Sequence, residues 1–98
     1  MSRIRVAILG LGLIGGSLGL AFRQSETNNV EVTGYARRVA TGELALKMGA
    51  VDAMAETPQQ AVCDADFVFI CTPVLQMLSM AETVLPAMKP GAVLTDVG

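Results

Sequence analysis

A doubly wound α/β domain on a parallel sheet is the fold predicted by this 98-residue sequence, and three observations predict it. Apolar strand-like runs alternate with helix-like segments from end to end. The first run, Ile4 to Leu9, is almost continuously apolar, the pattern of a parallel strand covered on both faces. It leads directly into Gly10-Leu11-Gly12-Leu13-Ile14-Gly15-Gly16, which sets G-x-G-x-x-G between a strand and a helix. Such alternation joins parallel strands by right-handed crossovers. About five strands in the order 3-2-1-4-5 are therefore expected, a Rossmann-type sheet with ligand at the carboxyl ends of strands one and four.

Each element has its own signal. The first helix is expected from about Leu13 to Gln24, followed by the polar loop 25–29. Glu31 to Tyr35 reads as the second strand. Val39 to Met48 reads as a helix, with Leu44 and Met48 one turn apart and Gly49 as its stop. A short strand is weakly signalled within Val51 to Met54. Thr57-Pro58-Gln59-Gln60 has a threonine cap, proline at the first helical position and glutamine three residues after the cap. Asp66 to Cys71 is the next buried strand, and Thr72-Pro73 opens a helix to about Met88, with Pro86 near its end. Pro90-Gly91 turns the chain into the last strand, Ala92 to Asp96.

The glycines have separate mechanical reasons. Gly10 permits the tight turn, Gly12 lets backbone approach a pyrophosphate, and Gly15 lets the helix pack close to the strand. Free N–H groups near Leu13 and Ile14, with the helix dipole, favour an anion without any basic side chain. Ser17 either contacts phosphate or occupies the first helical turn.

Val6 to Phe22 carries no charge and follows Arg3 and Arg5, which superficially suits a leader or an anchor. Five glycines weaken that reading, and no small-x-small cleavage site is followed by a polar start. The run is also shorter than the roughly 20 apolar residues a bilayer requires. A cytoplasmic protein without a membrane segment is expected. Net charge −2 gives no basic excess for nucleic acid. Cys63 and Cys71 lack C-x-x-C spacing and there is no histidine, so buried free thiols are expected and no Cys/His metal site is available. The length suits one domain, residues 1–98.

The end of the second strand bears on which dinucleotide binds. NAD-preferring sites carry an acidic residue about 20 positions beyond the glycines, where it holds the ribose 2′-hydroxyl. Here that position is Ala36, followed by Arg37 and Arg38. Alanine does not repel a 2′-phosphate, and two guanidinium groups can grip one. NADP is therefore expected over NAD, the alternative being two solvated arginines on an ordinary loop.

These residues resemble the cofactor domain of the prephenate and arogenate dehydrogenases of tyrosine biosynthesis. The matching stretches begin with the run from Gly10 to Gly19, Val32-Thr33-Gly34-Tyr35 and Gly49-Ala50-Val51-Asp52. They continue with Ala65 to Val74 and Pro90 to Gly98. Gly-Gly-Ser after the fingerprint, Thr-Pro-Val after strand four and Thr-Asp-Val-Gly at the end are together fairly specific, and the resemblance covers the whole chain. It implies an NAD(P)-dependent oxidative decarboxylation in which hydride passes from the ring carbon bearing the 4-hydroxyl to nicotinamide. It also implies that Thr72, Pro73 and Val74 border the cofactor, although Thr72-Pro73 equally suits a plain helix start.

In the family Ser-x-Lys follows Asp-Val-Gly. A later histidine supplies the base, and a helical second domain binds substrate and forms a homodimer. This sequence contains neither that Ser-x-Lys nor a histidine, so no catalytic residue is assigned within it and the chain alone is expected to be inactive. Asp96 serves as a late carboxylate or, more simply, in a turn or cap. The helix with Leu75, Leu78, Val84, Met77, Met80 and Met88 either packs on the sheet or turns part of its surface to the second domain or a partner chain.

Overall fold

The apolar run Ile4–Leu9 forms β1, the middle strand, and buries Val6, Ala7, Ile8 and Leu9 almost completely. The computed structural model describes residues 3–23 and 29–96. Most of the loop expected over 25–29 lies outside those residues, as do Gln24, Val97 and Gly98. From β1 the chain continues through α1 (Leu13–Arg23), β2 (Val30–Tyr35), α2 (Val39–Met48) and β3 (Ala53–Met54). Next come α3 (Pro58–Val62), β4 (Phe67–Ile70), α4 (Val74–Val84), a 3-10 turn (Leu85–Ala87) and β5 (Val93–Asp96). All the strand pairs are parallel, in the order β3-β2-β1-β4-β5.

Side-chain alternation splits the core into two layers, because successive strand residues face opposite sides. Val6, Ile8 and Val32 pack on one face with Ala45, Ala50 and Val51, joined by Leu18, Leu20 and Phe22 of α1. Ala7, Leu9, Val68 and Ile70 pack on the other with Ala61, Val62 and Val84. Helices therefore cover both faces, which is what doubly wound means physically. Phe22 and Phe69 meet with ring centroids 5.5 Å apart.

Two aspartates extend the parallel ladders just before a strand begins. Asp66 N–H donates to the Arg5 carbonyl at 2.7 Å, and its carboxylate accepts from Arg5 N–H at 2.8 Å. Asp52 repeats the pair on Val32, at 2.8 Å in each direction. Asp66 also meets Lys89 Nζ at 2.7 Å, and its carbonyl accepts from Val93 N–H at 2.9 Å, so one residue ties β4 to its neighbours on both sides. The Arg5 N–H, and after it Lys89, hold the Asp66 carboxyl below the ordinary carboxylate value. A carboxyl whose pKa is lower in the folded state stabilises the fold above the unfolded value of about 3.9 and loses that contribution as pH falls through the folded one. Asp66→Asn is accordingly expected to lower stability at pH 7 and to flatten its decline below about pH 4. Urea unfolding of both proteins across that range checks this, and parallel pH profiles would refute it.

Several expectations need correction. Thr72 does not cap α4: Pro73 occupies the capping position at φ −55° and ψ 148°, with no side-chain cap, and the helix begins at Val74. Proline's fixed φ suits extended chain as well as helix, and here ψ is extended. At the other end, Pro86 has no N–H for a helical bond, so α4 stops at Val84 and one 3-10 turn follows. On α3 the Thr57 hydroxyl accepts from Gln60 N–H at 3.1 Å, as its sequence implies. The Gln60 amide oxygen, however, reaches back to Glu56 N–H rather than to the cap residue.

The faces of two helices also differ from the simplest packing pattern. On α2 the small residues Gly42 and Ala45 are buried and Leu44 and Met48 are exposed, because Met54 packs directly over Gly42. On α4 the buried Val84 and the half-buried Met77 and Met80 face the core, whereas Leu75 and Leu78 are exposed. Of the two thiols expected to be buried, Cys63 is exposed at the end of α3 and Cys71 is half-buried.

Candidate dinucleotide site

Parallel pairing carries the carboxyl ends of three strands to one edge of the sheet. Leu9 stands opposite Tyr35 on one side and Ile70 on the other, so the chain leaves β1, β2 and β4 at the same level. Gly10, Ala36 and Cys71-Thr72 are the first residues beyond those ends. Gly10 N–H donates to the Tyr35 carbonyl at 2.8 Å, and Cys71 N–H to the Leu9 carbonyl at 2.8 Å, which fixes the turn against both neighbours.

Two glycines are mechanically required there. Gly10 lies at φ 94°, and a Cβ on it would stand 3.0 Å from Thr72 N and from the Cys71 carbonyl carbon. A Cβ on Gly15 would overlap the Gly10 carbonyl oxygen, so α1 can start this close to β1 only without a side chain at that position. Gly12 differs: it is exposed, and a Cβ there would meet nothing within 4 Å. That open space lies beside the start of α1, where Gly16 N–H makes the first turn's bond to the Gly12 carbonyl at 2.9 Å. The N–H groups of Leu13, Ile14 and Gly15 then have no helical acceptor, and no acidic side chain sits in the first turn. Such an end attracts an anion. Only the backbone of Leu13 and Ile14 is described; Ser17 is exposed on the same turn.

On the β2 side, Ala36 is half-buried against the α1–α2 core layer, and Arg37 and Arg38 are exposed. Arg38 occupies the capping position of α2, at φ −97° and ψ 128°, without a side-chain cap bond, and no acidic residue lies in that first turn either. Neither arginine makes an ion pair among the described residues. On the β4 side, Thr72 is half-buried while Pro73 and Val74 are exposed. Burial pushes the Cys71 thiol up, so it stays protonated and is a poor nucleophile near neutral pH. Asp96 ends β5 opposite Ile70, exposed and with no cap bond among the described residues.

The structure thus gathers Gly10, Gly12, Gly15, Ala36, Arg37, Arg38, Thr72, Pro73 and Val74 along one edge. Two features there escape sequence reasoning. One is the Tyr35 carbonyl, a backbone group with no residue-type signal. The other is a groove of about 320 Å³ between α1 and α2, floored by Leu11 and Ala50 and walled by Leu20, Leu44 and Met48. Its sequence signal is Gly16, a second glycine beyond the fingerprint that leaves space unfilled. No described helix is long and apolar enough to cross a membrane.

A strand, a tight glycine turn and an uncapped helix start, set in a 3-2-1-4-5 parallel sheet, define a Rossmann-type nucleotide-binding domain. The chain belongs to the family described as prephenate dehydrogenase, nucleotide-binding domain, whose sequence model matches residues 18–98.

It is 33% identical over 93 residues to the cyclohexadienyl dehydrogenase of Zymomonas mobilis, covering 95% of this chain and 31% of that protein. It is 34% identical over 94 residues to the prephenate dehydrogenase of Bacillus subtilis, covering 95% of this chain and 25% of that protein. The arogenate dehydrogenase structure from Synechocystis superposes with a TM-score of 0.88 at 30% identity, covering 97% of this chain and 33% of that one. The chain therefore spans between a quarter and a third of the length of the curated relatives it matches.

Proposed function

We propose that this chain is the NADP-binding domain of a prephenate- or arogenate-type dehydrogenase. Family membership supports the reaction class, and one observation carries the cofactor choice. At the carboxyl end of β2, Ala36 stands where an NAD site would present a carboxylate, and Arg37 and Arg38 stand without an ion pair among the described residues, beside the uncapped start of α2. That edge offers a 2′-phosphate three sources of positive potential and no repulsion.

The residues present fit a dinucleotide. The open space over Gly12 admits a pyrophosphate, and the free N–H groups of the first α1 turn face an anion without a competing acid. Gly10, Gly12, Leu13, Ile14 and Gly15 would hold the pyrophosphate, with Ala36, Arg37 and Arg38 around the adenosine ribose. Thr72, Pro73 and Val74 would border the nicotinamide half. When bound, the nicotinamide accepts the hydride that leaves the substrate ring. The chain's own part is to bind and orient. Substrate binding, the catalytic base and dimerisation belong in this reading to a second domain, and the whole enzyme is a cytoplasmic homodimer of tyrosine biosynthesis.

Calorimetric titration of the chain with NADP and, separately, NAD tests the reading. Binding of NADP at least tenfold tighter than NAD is expected, since charge-assisted contacts are worth about 1.5–3 kcal/mol each. Equal or reversed affinities would reduce the two arginines to surface charges, and binding of neither would overturn the proposal.

A further inference from the structure

Helix α2 carries little polar surface for a helix on the outside of a domain. Only Glu43 and Lys47 are charged along it. Its inward face is the small pair Gly42 and Ala45, while Val39, Leu44, Leu46 and Met48 are all exposed. A helix apolar nearly all round is ordinarily covered on more than one side. Leu44 and Met48, exposed by 56% and 57%, also form one wall of the groove of about 320 Å³ between α1 and α2. Leu20 of α1 faces them across it, and the lining is overwhelmingly apolar.

We propose that α2 and this groove form a twofold contact between two copies of the chain, α2 of each lying antiparallel against the groove of the other. The charges select that occupant. Glu43 and Lys47 are exposed, one helical turn apart, and neither makes an ion pair among the described residues. An antiparallel pair with its twofold axis level with Ala45 sets Glu43 beside the partner's Lys47 and Lys47 beside the partner's Glu43. One acid and one base on the same helix thereby make two reciprocal pairs at the rim, around an apolar centre of Leu44 and Met48. Helix α4 offers the contrast. Its Leu75 and Leu78 are more exposed still, but Glu82 is its only charge, so twofold pairing of that helix brings no opposite charges together. The contact goes beyond cofactor binding, does not depend on it, and is separate from the dimerisation assigned to a second domain.

Sedimentation equilibrium of the chain without dinucleotide tests the proposal. A monomer–dimer equilibrium with Kd on the order of 100 µM is expected, since one helix and one groove make a contact at the small end of protein interfaces. Leu44→Glu should weaken the dimer about thirtyfold. Glu43→Lys and Lys47→Glu should each weaken it about tenfold, because each sets like charges against one another. An equimolar mixture of those two variants should associate as the unaltered chain does, since the reversed charges then meet as opposites. Leu75→Glu should leave association unchanged.

A chain that stays monomeric up to about 1 mM would overturn the proposal. So would a dimer that survives Leu44→Glu, or one lost in Leu75→Glu, which would move the contact to α4. Growth beyond the dimer would exclude a closed twofold. If Leu44→Glu fails to fold, the mixture of charge variants decides, and its failure to associate would refute the antiparallel pairing.

Discussion

Gly15→Ala is expected to remove dinucleotide binding and to destabilise the domain by about 3 kcal/mol, the upper end of ordinary overpacking. The added Cβ overlaps the Gly10 carbonyl oxygen and reaches to 3.4 Å from Cys71 Cβ. The first obstacle is backbone, so no side-chain rotation relieves it. Either α1 moves away from β1 or the Gly10 turn opens, and both distort the row of N–H groups that faces the ligand.

Gly12→Ala is the informative partner, because its Cβ meets nothing within 4 Å. That variant should fold with stability within about 0.5 kcal/mol of the unaltered chain, yet bind NADP more weakly, since the methyl stands where the pyrophosphate approaches. Urea unfolding and calorimetry on the two variants separate the roles. A stable, fully binding Gly15→Ala protein would contradict the turn's mechanics. An unimpaired Gly12→Ala protein would contradict the position given to the pyrophosphate.

The second large effect is expected from Ala36→Asp combined with Arg37→Ser. The aspartate supplies an acceptor for a ribose 2′-hydroxyl and repels a 2′-phosphate, while the serine removes one guanidinium. Losing one charge-assisted contact and adding one repulsion should change the NADP-to-NAD affinity ratio by about a hundredfold, enough to reverse the preference. Arg37 and Arg38 are exposed, so the NADP preference of the unaltered chain should also shrink as salt rises. Titrations at low and high ionic strength measure both. Unchanged selectivity in the double variant would sink the assignment of these residues to the 2′-phosphate.

The sheet was largely legible in the sequence because its signals are local. Ile4–Leu9 is apolar on both faces, the glycine pattern follows immediately, and Thr57-Pro58 marks a helix start whose cap bond forms as written. The strand order agrees with the one expected from alternation, crossover handedness and the glycine fingerprint after the first strand. Where local signals mislead, a non-local contact has taken over. Leu44 and Met48 repeat at helical spacing, yet α2 turns Gly42 and Ala45 inward because Met54 on β3 fills the gap above them. Leu75 and Leu78 are more apolar than methionine, yet α4 faces the sheet with Met77, Met80 and Val84.

The candidate site divides the same way. Which residues reach the edge was written in the chain, since residues that follow parallel strands must leave at one end of the sheet. By itself the sequence also determined the strand-turn-helix start, and that Ala36-Arg37-Arg38 with no acid follow the second strand. Tertiary structure alone decided that the Tyr35 carbonyl anchors the turn. It alone decided that Asp66 joins three strands and that Thr72 keeps a hydroxyl without a partner among the described residues instead of capping α4. The physical reason is common to all three. Residue type and periodicity report what a side chain prefers, but backbone approach and the satisfaction of polar groups depend on chain segments distant in sequence, and these meet only when the sheet closes.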